Sequence, residues 1–180
     1  MKHRNVLLSV ASMAILAAGC ASFDSYRLGS TLAESDRYVY LAPVLNESDQ
    51  ATAARELQKA LTREILREGT LKIVGSEAEA TTRLDVVVTS YEQDSIAYAA
   101  KDTSRPTQYR MTLTARVSFR RLARPAAGIA SDVPIFEASR VSGRENFPGG
   151  SDSSAAKLSC LPLAAKALSE TIVENCANAW

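Results

Sequence analysis

The sequence predicts an α+β fold, a two-layer sandwich with a mixed, largely antiparallel sheet of about four strands and two helices on one face. Three observations predict it. Met111, Leu113, Ala115, Val117 and Phe119 alternate with Arg110, Thr112, Thr114, Arg116, Ser118 and Arg120. That period of two marks a half-buried antiparallel strand with one wet face. Ala54, Leu57, Leu61 and Ile65 recur at intervals of three and four, so a helix with one apolar side precedes it. Residues 155–179 read as a second helix after a Gly/Ser/Asp stretch. A sheet with one apolar face must bury it, and two amphipathic helices are the cover available.

In chain order, residues 38–44 form a largely apolar strand that Pro43 helps to end. Asn46, Glu47, Ser48 and Asp49 offer helix N-caps, and Gly69 offers the stop. Residues 71–74 are a short extended piece. A β-branched run follows at 84–91, with Leu84, Val86 and Val88 on one face and Asp85, Val87 and Thr89 on the other. The polar segment 92–108, which holds Arg105-Pro106, reads as a loop flanked by Tyr91, Tyr98 and Tyr109. After the strand at 109–121, a Pro/Ala/Ser-rich loop at 123–134 leads to a returning strand at 135–141. Residues 144–154 read as a loop. The final helix carries Pro162 near its start and an apolar side of Leu163, Ala167, Ile172 and Val173. The expected order is β-α-β-β-β-α.

Composition narrows the chemistry. With 46% hydrophobic and 23% charged residues the chain is globular rather than disordered. A formal charge of +1 gives no general attraction to nucleic acid. The one histidine is His3, in the basic start of an apolar leader, so the remainder has no imidazole for a nucleophile's base or for a metal. Of three cysteines, Cys160 and Cys176 lie in or beside the last helix. Sixteen residues of helix would set them roughly 24 Å apart, beyond disulfide reach unless the chain turns back near Pro162. Two buried thiols are the simpler reading. No phosphate-binding glycine loop is present, and the chain reads as a non-enzyme without cofactor or metal.

The leader is specific. Lys2, His3 and Arg4 precede an apolar run at 6–18, too short to span a bilayer and of signal-peptide length. It ends in Leu16-Ala17-Ala18-Gly19-Cys20, which resembles the lipobox cut by lipoprotein signal peptidase, with Ala17 where a larger aliphatic is usual. This implies removal of 1–19, acylation of Cys20 and firm membrane anchoring by several acyl chains. Ala21 follows, where inner-membrane lipoproteins often carry Asp, so the resemblance favours the periplasmic side of the outer membrane. Residues 20–36 read as the lipidated tether and 37–180 as the single domain.

Further pieces resemble the lipopolysaccharide-assembly lipoprotein family of the LptE type. Tyr26-Arg27-Leu28-Gly29 follows the lipid cysteine closely, and Val44-Leu45-Asn46-Glu47-Ser48 is similar to the family's exit from strand to helix. Residues 80–86 resemble its entry to the second strand, although the family often has Ala-Asp there. The strand at 109–121 and a last helix closing at Trp180 also fit. The resemblance implies a non-catalytic plug and assembly factor of the outer-membrane β-barrel that translocates lipopolysaccharide, and binding of lipopolysaccharide itself. A periplasmic adaptor or activator of a cell-wall synthase or lipid-transport complex would share the leader and the strand–helix opening. The co-purifying partner separates the two.

Arg110, Arg116 and Arg120 share the wet face of one strand, and guanidinium groups grip phosphate in bidentate fashion. They are the candidate ligand contacts; pairing with Asp85 or Glu137 on neighbouring strands is the competing expectation. Arg55, Lys59, Arg63 and Arg67 form a basic ridge on the first helix, but Glu56 and Glu64 stand three residues before Lys59 and Arg67, as on any solvated helix.

Overall fold

A computed structural model describes residues 32–100, 102–124, 128, 132–149 and 153–179. Cys20, the leader, Tyr26 to Gly29 and Trp180 lie outside the described residues. The α+β class and the two-helix cover are as the sequence predicts, but the sheet has six strands. They are β1 (Tyr38–Leu41), β2 (Leu45–Asn46), β3 (Lys72–Ile73), β4 (Thr82–Ala99), β5 (Asp102–Arg121) and β6 (Val133–Pro148). Among the described residues the α-helices are α1 (Ala53–Glu68) and α2 (Ser153–Ala177). The sheet order is β3-β1-β4-β5-β6, with β2 on β4; β1 runs parallel to β3 and β4, whereas β4, β5 and β6 are antiparallel. The two extra strands, β2 and β3, are only two residues long, and β3 falls on the short extended piece expected at 71–74.

The inner face matches the alternation. Leu84, Val86 and Val88 of β4 and Met111, Leu113, Ala115, Val117 and Phe119 of β5 are all 1% exposed or less. They share one core with Leu57, Leu61 and Ile65 of α1 and Leu168, Ile172 and Val173 of α2. Each strand beside β5 contains a register shift, between Val88 and Ser90 on β4 and opposite Ala115 to Val117 on β6. An extra residue moves the inward set by one. Inward positions on β4 therefore pass from Val88 to Tyr91, paired with Leu113, and on β6 from Ala138 to Val141.

Several sequence expectations are corrected. Residues 92–108 are not a loop, because β4 and β5 continue as a hairpin with Glu92 opposite Thr112 and Asp94 opposite Arg110. Polar side chains there reflect solvent on the outer face, while the ladder pairs the backbone. The register slips cluster where Tyr98 faces Pro106, which has no N–H to give. Residues 144–148 likewise belong to β6 rather than to a loop. The first strand ends at Leu41, three residues early.

The N-cap of α1 is Thr52, with no side-chain cap bond, rather than a residue of 46–49. Asn46 instead accepts from the Ser48 N–H (3.1 Å) and hydroxyl (2.7 Å), the local turn that competes with capping. Gly69 ends the helix in the left-handed region at φ 81, as expected. Ala53 replaces Ala54 at the bottom of the buried stripe.

On α2 the inner face is Cys160, Leu161, Ala164, Ala165, Leu168, Ile172, Val173 and Cys176, while Leu163 is 50% exposed and Ala167 half-buried. Small residues face inward because the helix lies close on β6. Tyr109 stacks on Phe147 at 5.4 Å, and Tyr98 stays half exposed.

Cys160 and Cys176 are free, buried thiols. Burial pushes Cys176 up to about 12, and burial with the charge of Glu145 pushes Cys160 up to about 11. A thiol held neutral in the fold costs nothing below its ordinary value of 9.0. Above it the unfolded chain releases a proton that the folded chain retains, so stability falls as pH rises towards 12. Urea melts of wild type should therefore weaken more steeply above pH 9 than those of Cys176→Ala. Parallel curves would mean that Cys176 meets solvent.

Candidate functional site

The outer face of β4, β5 and β6 carries the charged side chains. Its two halves differ. In the half nearer β1, arginines are neutralised. Arg120 reaches Asp85 at 3.0 Å and Asp132 at 3.5 Å, and Arg83 reaches Asp85 and Glu77 at 2.9 Å each. Hydrogen bonds donated to Asp85 and then to Glu77 hold Arg83 above its ordinary value. Arg116 meets Glu47 at 3.1 Å, but both side chains are half exposed, so the pair contributes little. Glu137 accepts from the Ser118 hydroxyl at 3.3 Å instead of from an arginine.

The half towards the hairpin is a polar concavity of about 310 Å³ lined by Glu92, Asp94, Arg110, Thr112, Thr114, Arg140, Ser142 and Arg144. The strands position these groups by parity. Thr112 stands between Glu92 and Arg144, and Arg110 between Asp94 and Asn146. Arg110 Nε donates to Asn146 Oδ1 at 3.1 Å. Of the three arginines expected from the sequence, only Arg110 lines the concavity; Arg116 and Arg120 lie on the same face further along β5.

Arg140 and Arg144 escaped the sequence reading. Their signal is an alternation in which Ser142, Arg144 and Asn146 point out while Val141, Gly143 and Phe147 are buried. Gly143 and Gly149 disguised it as a loop. On α1 the ridge behaves as a solvated face: Lys59 pairs with Glu56 at 3.2 Å, and Arg67 with Glu64 at 2.5 Å.

Among the described residues no group of His, Cys, Asp and Glu converges as for a metal, and no helix is long and apolar enough to cross a membrane. What the face can do is hold phosphate-bearing or other charged polar groups through guanidinium hydrogen bonds.

A family model described as lipopolysaccharide-assembly, LptE, matches residues 37–157. No curated protein matches by sequence. Among solved structures, a hypothetical protein from Chlamydia trachomatis is 12% identical over 78% of this chain and 95% of its own, with a TM-score of 0.52. A protein from Xanthomonas campestris is 10% identical over 83% and 87%, with a TM-score of 0.51. These two share the fold. The rare lipoprotein B from Shewanella oneidensis is 17% identical over 77% and 89%, with a TM-score of 0.43.

Proposed function

Because the chain belongs to the LptE lipopolysaccharide-assembly family, we propose that it is a non-catalytic, lipid-anchored plug and assembly factor of the lipopolysaccharide-translocating β-barrel. Residues 1–19 are removed on export, Cys20 is acylated, and residues 20–36 lead from the outer membrane's periplasmic side to the domain at 37–180. Leu32 and Asp36, near the end of that lead, are already buried against the domain.

The domain docks with the barrel and contacts lipopolysaccharide through the arginine face. The observation that carries this reading is that face itself. Arg110, Arg116 and Arg120, joined by Arg140 and Arg144, lie on the sheet side opposite both helices, where the anionic sugar phosphates find bidentate donors.

One experiment tests both parts. Tagged full-length protein, wild type and Arg110→Ala/Arg116→Ala, is recovered in detergent from native outer membrane, with mass spectrometry of the partners and assay of bound lipopolysaccharide. A stoichiometric large β-barrel is expected with both. Bound lipopolysaccharide should fall about tenfold in the variant, the scale of one lost charged hydrogen bond or more. Recovery of a cell-wall synthase or a lipid transporter in place of the barrel would overturn the docking. Undiminished lipopolysaccharide on a folded variant would overturn the arginine contact.

A further inference from the structure

The arginines of β4, β5 and β6 differ in how they are paired. Arg83, Arg116, Arg120 and Arg121 each have a carboxylate partner. Around the polar concavity that pattern stops. Among the described residues, Glu92 and Asp94 on β4 and Arg140 and Arg144 on β6 make no side-chain hydrogen bond or ion pair, and Arg110 between them reaches only Asn146. Asp94 stands directly opposite Arg110 without taking it. The carboxylate wall and the outer guanidinium wall are two strand spacings apart, about 9.6 Å between backbones, and make no ion pair with each other.

We propose that the concavity binds a zwitterionic phosphate–amine group, with its phosphate on Arg110, Arg140 and Arg144 and its ammonium on Glu92 and Asp94. A simple anion in the same space meets two carboxylates, and a simple cation meets three guanidinium groups. A ligand with both charges, separated by a short linker, satisfies the two walls at once. Phosphoethanolamine is the smallest group of that class. Thr112 and Thr114 on β5, between the walls, and Ser142 on β6 supply hydroxyls that donate to phosphate oxygens or accept from the ammonium. This inference rests on the reading of the arginine face as ligand-binding and adds the carboxylates as part of the recognition. The group is found both in phospholipid heads and as a decoration on lipopolysaccharide, and the chemistry recognised is the same.

The test uses the mature lipidated protein in non-ionic detergent and measures calorimetric binding of short-chain phosphatidylethanolamine and of short-chain phosphatidic acid, which keeps the phosphate and lacks the amine. Wild type should prefer the ethanolamine lipid by about tenfold, the scale of a charge-assisted hydrogen bond. Glu92→Gln/Asp94→Asn, nearly isosteric and on an exposed hairpin arm, should lose that preference and bind phosphatidic acid at least as tightly as wild type does. Arg140→Ala/Arg144→Ala should bind neither. Equal affinity of wild type with and without the amine, in these phospholipids and in the matching lipopolysaccharides alike, or an unchanged preference in the carboxamide variant, would overturn the proposal.

Lipopolysaccharide with and without phosphoethanolamine provides the parallel arm. A preference confined to the glycolipids assigns the group to lipopolysaccharide, and a preference in both series assigns it to any ethanolamine head. Loss of lipopolysaccharide in the arginine variant with no effect of the carboxamides sinks this inference and leaves the lipopolysaccharide reading standing. An amine preference without any lipopolysaccharide binding does the reverse.

Discussion

Gly143→Ala is expected to destabilise the domain by about 3 kcal/mol, the upper range for overpacking a core, and Gly143→Val to prevent folding. Gly143 lies on β6 opposite Leu113, beneath α2. A Cβ there would stand 2.3 Å from the Leu168 nitrogen, 2.4 Å from the Ala164 oxygen and 2.6 Å from the Leu168 Cβ. Two of those three atoms are backbone, so no rotamer relieves the contact and the helix itself must move. The helix cannot move freely, because Leu168, Ile172 and Val173 are fully buried in the shared core. Glycine in a strand normally weakens it, and here it is the condition for the close approach of helix to sheet. Urea denaturation should show a lower midpoint with the slope unchanged. An alanine variant as stable as wild type would mean that α2 does not seat on Gly143.

Arg121→Ala should cost about 3 kcal/mol, at the low end for breaking a buried ion pair, because the arginine side itself is partly wet. Asp36 is 3% exposed, in the turn just before β1, and the Arg121 guanidinium at the end of β5 binds it in bidentate fashion, with Nε to Oδ1 at 2.8 Å. The carboxylate holds Arg121 above its ordinary value, chiefly through that hydrogen bonding. The neighbouring Thr82 hydroxyl donates to the Asp36 carbonyl at 3.1 Å, so the entry into the domain is fastened to both β4 and β5. Removing the arginine leaves a carboxylate with little access to water. The double variant Asp36→Asn/Arg121→Ala should be more stable than Arg121→Ala alone, since the stranded charge is gone. If the double variant is no better, the cost lies in packing of the arginine stem and not in the charge.

Part of the fold is legible locally for a physical reason. The alternation at 111–119 follows from the pleat, and the stripe Leu57, Leu61, Ile65 follows from the helical repeat, so both are visible in a short window. The hairpin arm at 92–108 was not visible that way. Its residues are polar because the outer face meets water, and only pairing with a strand on the same arm distinguishes it from a loop. The face a residue takes past Val88 or Ala138 is not legible in the sequence, since a single extra residue on one strand exchanges the faces and leaves no mark in composition.

The sequence by itself determined the α+β class, the inward face of β5, the apolar side of α1 and the membership of Arg110, Arg116 and Arg120 in one wet face. Each of these follows from side-chain period along a single element. Only the tertiary structure decided which helix face α2 buries, that Arg140 and Arg144 join Arg110, and which charges remain unpaired. Those outcomes depend on strand register and on partners far away in the chain, such as Glu47 for Arg116 and Asp85 for Arg120. No window along the sequence contains both members of such a pair.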